Sequence, residues 1–210
     1  ESDGAGDGAA DGSANGGLAS GIADEAIFRV PLAEDTDDDV ADFRKGLASL
    51  GAENGIIYVD ASAIDDTGLG RPTDPKQLIQ SGLNIAVEDG RVIVAAGTYR
   101  ENITISNPVS LEGANAGIDG NGTRGAESII EPSSQSDAIE IDADSVTIDG
   151  FQVGVSNVDA AIYSTADTYL TLQNNVINAD SVGISIVGST SGTIDVTANQ
   201  ITLSDFTTGF

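Results

Sequence analysis

Of 210 residues, 34 are Asp or Glu and 8 are Lys or Arg, for a formal charge of −26, and the chain contains no His, Cys, Met or Trp. That excludes Ser-His-Asp and Cys-His nucleophiles, imidazole or thiolate metal sites and disulfides, and leaves oxygen ligands as the only means of holding a metal. It also excludes a nucleic-acid groove, which needs a basic surface.

With five Phe and four Tyr, the core must be mainly aliphatic. The charge imbalance self-repels in dilute buffer and is tolerated where salt shortens the Debye length to about 3 Å near 1 M. The Asp-rich, Lys-poor composition resembles that of haloarchaeal proteins; an ordinary acidic secreted protein is the alternative. No apolar run is long enough to span a bilayer. The chain opens at Glu1 without a basic, apolar leader and reads as a mature or trimmed chain. Asn102-Ile103-Thr104 and Asn121-Gly122-Thr123 fit the N-glycosylation sequon, making Asn102 and Asn121 the candidate acceptors.

In chain order, residues 1–25 form a Gly/Asp-rich tail in which Asp3, Asp7 and Asp11 recur every four residues. Such a segment reads as a linker or tail. The other reading is a Ca²⁺ site on those three carboxylates, although their spacing differs from the alternate ligands of an EF-hand loop. No other cofactor is expected.

Residues 26–90 carry a short strand candidate, Ala26 to Val30, stopped by Pro31. A helix is predicted next, capped by Thr36, with Asp37, Asp38 and Asp39 in its first turn. Val40, Phe43, Leu47 and Leu50 lie on one face and Gly51 closes it. Ile56 to Val59 is a β run. A second helix is predicted from an Asp74 cap and Pro75 at its first position, burying Leu78, Ile79, Gly82, Ile85 and Ala86 before Asp89-Gly90.

Residues 91–210 repeat. Val146-Thr147-Ile148, Leu170-Thr171-Leu172 and Ile194-Asp195-Val196 are spaced by 24 residues. A second series runs through Ile139, Ile162, Ile184 and Phe210. Within each run apolar residues alternate with polar ones, which puts one face in and one face out. Repetition in phase predicts an all-β, single-stranded parallel β-helix in which equivalent strands stack about 4.8 Å apart. Leu111 and Ile148 are 37 apart, the excess being a Gly-rich excursion from Gly113 to Gly125. A β-sandwich of short strands is the alternative, and it predicts no fixed phase. Asn174, Asn175 and Asn199 fall near one turn and read as a ladder satisfying backbone groups.

The stretch from Pro75 through Gly97-Thr98-Tyr99-Arg100-Glu101-Asn102 to Gly113 resembles the opening of right-handed β-helix proteins of the pectin-lyase-like superfamily. The resemblance covers residues 56–210 and implies N-terminal capping helices, one plugging the first rung, with a Gly-Thr-Tyr-x-Glu turn leading into the first full coil. It implies fold more than function, because that architecture serves lyases, hydrolases, esterases and surface fibres alike. Pectate lyases of this kind use an Arg as base, whereas the last Arg here is Arg124. The Asp/Arg/Gln set of the esterases and the Asp/His set of the polygalacturonases are absent as well. The expected outward carboxylates are Glu140, Asp142, Asp144, Asp149 and Asp195, read as a solvated face; a glycoside-cleaving pair among them is the alternative. Tyr163 and Tyr169 read as core-edge packing.

The last rung has only begun at Phe210 and no cap follows, so either the chain continues or another subunit covers that end. The leading expectation is a non-enzymatic extracellular structural subunit. Copies of it stack head-to-tail into a filament or cell-surface array, with Phe28, Val30, Phe206 and Phe210 in the contacts. A secreted polysaccharide-binding or polysaccharide-degrading protein is the second reading and a calcium-stabilised adhesin the third.

Overall fold

The computed structural model describes residues 55–154, 159–165, 169–188 and 192–204, together with the backbone of two earlier strands. The chain divides into two compact units, Glu1–Glu53 and Asn54–Phe210. The tail with Asp3, Asp7 and Asp11, Val30, and the terminal residues Phe206 and Phe210 lie outside the described residues, as does the side chain of Phe28.

In the first unit, β1 (Glu25–Arg29) pairs antiparallel with β2 (Phe43–Leu47), Glu25 opposite Leu47 and Arg29 opposite Phe43. This corrects the helix expected over 36–51, because Phe43 to Leu47 are extended. A strand needs a partner for its N–H and C=O groups, and β2 supplies it. Gly46 adds about 1 kcal/mol against a helix at that position.

Among its described residues the second unit is all-β apart from one short helix, α1 (Ile79–Ile85). Its strands are β3 (Ile56–Val59), β4 (Gly90–Val94), β5 (Gly97–Tyr99), β6 (Ile103–Ile105), β7 (Val109–Glu112), β8 (Ser128–Ile130) and β9 (Ile139–Ile141). There follow β10 (Val146–Asp149), β11 (Phe151–Gly154), β12 (Ile162–Ser164), β13 (Leu170–Gln173), β14 (Val176–Ala179), β15 (Ile184–Ile186), β16 (Ile194–Thr197) and β17 (Gln200–Leu203).

They form three parallel sheets: the first in the order β16-β13-β10-β7-β4-β3, the second β17-β14-β11-β8-β5 and the third β15-β12-β9-β6. From β4 onward the chain visits first, second and third sheet in turn, so each pass adds one strand to each sheet. Each sheet is open, and the arrangement is consistent with a parallel β-helix.

The 24-residue phase is the hydrogen-bonding register: Val146 lies beside Leu170 and Leu170 beside Ile194. Ile139, Ile162 and Ile184 align in the same way in the third sheet. Val109 still aligns with Val146 because the extra residues between them loop out. Period-2 alternation buries one side of each strand, and like residues stack on like: Leu111, Ile148 and Leu172 are fully buried, as are Ile139 and Ile162. Each such side chain contributes about 1.5–3 kcal/mol of transfer free energy.

In the last three passes the corner between the first and second sheets takes one residue of positive φ: Gly150 at 80°, Asn174 at 57° and Ala198 at 55°. The corner leading back into the first sheet does the same at Ser145 and Tyr169. In these passes a left-handed residue at a fixed place turns the chain sharply from sheet to sheet.

The second predicted helix exists but starts later than expected. Asp74 does not cap it; its carbonyl accepts the Gly70 and Arg71 N–H groups and its carboxylate the Leu69 N–H, closing a turn. Lys76 bridges to Val59 in extended form. The Pro75 segment thereby adds a backbone partner to the free edge of β3, which competes successfully with local helix signals. α1 buries Ile79, Gly82 and Leu83 against β3, β4 and β6, while Leu78 and Ile85 are exposed, contrary to the expected stripe. Gly82 is required by packing, since a Cβ there would lie 2.6 Å from Val59 Cγ2.

Candidate functional site

The Gly-Thr-Tyr-x-Glu turn is structural. The buried Glu101 carboxylate accepts the Ile79 and Gln80 N–H groups at 2.8 and 3.0 Å, capping α1 from 21 or more residues away. Burial raises the Glu101 carboxyl above its usual range, with the two N–H bonds pulling the other way. Asp66 completes the cap by accepting the Gln77 and Leu78 N–H groups and the Ser81 hydroxyl. Tyr99 donates to the Ala95 carbonyl and accepts the Ala61 N–H, and burial pushes its hydroxyl up to about 12.

Asn102 anchors the 133–137 loop: its Oδ1 accepts the Ser133 and Ser134 N–H groups and its Nδ2 donates to the Ser136 and Asp137 carbonyls. The nitrogen that a glycan would modify is thus engaged in the folded chain. Asn121 sits exposed in a turn whose N–H is held by Asp119.

The excursion, which the sequence marked only as extra length, runs across three successive corners. Gly113 N–H donates to the Asp149 carbonyl, Gly117 N–H to the Asp149 carboxylate, and Gly120 N–H to the Ala198 carbonyl. Arg124 donates to Ile118 O and Asn174 O, each at 2.7 Å, and pairs with Glu127. Burial opposes the Glu127 charge, but the Arg124 fork and Asn115 outweigh it and hold the carboxyl below its usual range. The signal for this brace was Arg124 itself, a lone cation in a Gly-rich stretch three residues before a Glu.

Among the expected outward carboxylates, Asp149 is buried and corrected to a structural role: besides Gly117 it accepts Gln173 Nε2 and Asn174 Nδ2 at 2.9 and 2.8 Å. Asp142 is exposed just after β9, and Asp195 is exposed on β16 in the first sheet. Asp144 is exposed in the turn before β10. Glu140 lines a recess of about 430 Å³ at the third sheet with Asp137, Asp159, Thr104 and Asn102. Asp137 Oδ1 there is buried without a hydrogen-bond partner. No Lys or Arg lines this recess, and no cluster of three or more carboxylates suited to a metal occurs among the described residues.

The Asn ladder is present. Asn175 Oδ1 accepts the Phe151 N–H, its Nδ2 donates to the Ile148 carbonyl, and Asn199 Oδ1 accepts the Asn175 N–H. Tyr163 is half-buried in β12, whereas Tyr169 is 62% exposed at a corner, which corrects its expected packing role.

Two surfaces remain. The outward face of the second sheet carries a groove of about 570 Å³ across β8, β11, β14 and β17. At the last described pass, the inward positions Val196 and Ile201 are 42% and 45% exposed, beside the outer edges of β16 and β17. No family profile matches the chain, and comparisons with curated proteins and with solved structures find no significant match.

Proposed function

We propose that residues 54–210 form a right-handed parallel β-helix of the pectin-lyase-like kind, and that the chain is an extracellular structural subunit, not an enzyme. Copies stack head-to-tail through the ends of the solenoid into a filament or surface array, in a salt-rich setting that screens the −26 charge. The observation that carries this reading is the exposed inward face of the last described pass, where Val196 and Ile201 occupy positions that in earlier passes are buried. Strand edges next to exposed apolar side chains form a template for association. At the opposite end Leu78 just before α1, Ile85 on it and Val87 just after it are exposed, offering an apolar counterpart. Contact between unlike ends does not close and therefore propagates.

Sedimentation velocity in high salt tests this. The wild-type chain is expected to give species that grow with concentration, and the double variant Val196→Lys with Ile201→Lys is expected to stay monomeric with unchanged circular dichroism. A wild-type chain that is monomeric at every concentration, or that stops at a dimer, contradicts the filament.

A further inference from the structure

The chain holds two Asn-x-Thr sequons, and the fold treats them in opposite ways. Asn102-Ile103-Thr104 runs into β6. An Asn amide has two hydrogens, and at Asn102 both are spent: Nδ2 donates to the Ser136 carbonyl at 3.2 Å and to the Asp137 carbonyl at 2.9 Å. Ile103 is 1% exposed and its N–H donates to the Ala138 carbonyl. The Thr104 N–H and carbonyl are both bonded to the Gln80 side-chain amide. With β9 on one side and that amide on the other, lifting this sequon toward an enzyme would strip β6 from the third sheet.

Asn121-Gly122-Thr123 lies on the excursion, and each of its residues is exposed. Its turn is closed locally by Asp119, whose carboxylate accepts the Asn121 N–H and whose carbonyl accepts the Gly122 N–H, each at 2.8 Å. The Asn121 Nδ2 stands 3.4 Å from Asp119 Oδ1, beyond the usual N–H···O range. On either side the excursion is fixed: Gly120 is buried with its N–H on the Ala198 carbonyl, and Arg124 donates to the Asn174 carbonyl. Opening the turn therefore costs the Asp119 bonds and leaves the brace seated.

We infer that the folded chain is N-glycosylated at Asn121 and that Asn102 is withheld from the same reaction. The donor is an oligosaccharide carried on a polyisoprenyl phosphate or diphosphate, presented by a transferase. A bond forms between Asn121 Nδ2 and C1 of the first sugar, the C1–O bond to the phosphate breaks, the lipid phosphate leaves with the electron pair, and one Nδ2 proton passes to a base of the transferase. The attacking nitrogen must turn its hydrogens away from other acceptors. At Asn121 nothing stronger than a long contact opposes that turn, whereas at Asn102 it would release the 133–137 loop. The site rests on the extracellular half of the structural reading, since such transfer accompanies export, and it does not depend on stacking.

Transfer in vitro tests this separately from self-association, which sedimentation reports. The purified full chain, shown to be folded by circular dichroism under the assay conditions, is incubated with a single-subunit oligosaccharyl transferase specific for Asn-x-Ser/Thr and a lipid-linked oligosaccharide. Two synthetic peptides, spanning residues 97–108 and 117–127, are treated in parallel, and mass spectrometry locates the glycan. Both peptides are expected to be modified, while the folded chain gains one glycan, at Asn121. Asn121→Gln is expected to abolish transfer to the folded chain without changing its melting temperature, and Asn102→Gln to lower the melting temperature while Asn121 is still modified. A folded chain left unmodified when the 117–127 peptide reacts, or a glycan on Asn102 of the folded chain, overturns the inference.

Discussion

Gly150→Ala is expected to be the most damaging single-methyl change in the second unit. The added Cβ would lie 2.1 Å from Ala116 N and 2.3 Å from Asn115 C, both backbone atoms of the brace, and φ at this residue is 80°. A left-handed conformation alone costs an L-residue about 1–2 kcal/mol, and Asn174 and Ala198 bear that cost at the equivalent corners. What sets Gly150 apart is the excursion packed over it. Forcing the brace outward adds an overpacking cost of about 1–3 kcal/mol and strains the bonds that Gly113 and Gly117 make to Asp149. The sum is a large share of the about 5–15 kcal/mol that stabilises a typical domain. Chemical denaturation at constant high salt measures it. Gly154→Ala is the control, since that position is open and its φ is ordinary, and it is expected to change stability by no more than about 0.5 kcal/mol. Equal effects at the two glycines would show that the brace does not pack against the corner.

The second large effect is expected from Asn175→Ala. The side chain is fully buried and serves two backbone groups of the previous pass, the Phe151 N–H and the Ile148 carbonyl. Each buried group left without a partner costs about 1–3 kcal/mol, and Phe151, itself fully buried, loses the bond that seats its backbone. Asn199→Ala removes the same chemistry one pass later, where Asn199 serves Leu172 O and Asn175 N–H but is more exposed. Water can replace a partner there, so the expected loss is smaller. Denaturation midpoints that rank Asn199→Ala as the worse of the two would contradict the ladder.

These residues show how much of the fold is legible in the sequence. The 24-residue phase was legible because stacking puts chemically like residues side by side in each sheet, and Val146, Leu170 and Ile194 are such a column. The Asn ladder was legible for the same reason. The helix over 36–51 was misread because Val40, Phe43, Leu47 and Leu50 fit a helical period, while the pairing of Phe43–Leu47 with Glu25–Arg29 is a nonlocal choice that periodicity does not report.

The start of α1 was misplaced for a related reason. Asp74 and Pro75 look like a local cap, yet the groups that satisfy the first helical N–H groups come from Glu101 and Asp66. At the candidate sites the limit was burial. Asp149 alternates outward in sequence, but the excursion folds over it and turns a surface carboxylate into a hub for Gly117, Gln173 and Asn174.

Everything rests on register between passes, and an engineered disulfide tests it most directly. The chain has no cysteine of its own, so a designed pair has no background. Thr147 and Thr171 are neighbours on adjacent parallel strands with side chains on the outward face, and a strand spacing of about 4.8 Å falls within disulfide reach. Thr147→Cys with Thr171→Cys is expected to oxidise to an intramolecular disulfide in the folded chain. Thr147→Cys with Asp195→Cys, two strands apart in the same column, is expected to stay reduced. A folded chain in which the first pair fails to close, or the second closes as readily, would contradict the stacked passes on which the fold and both proposals depend.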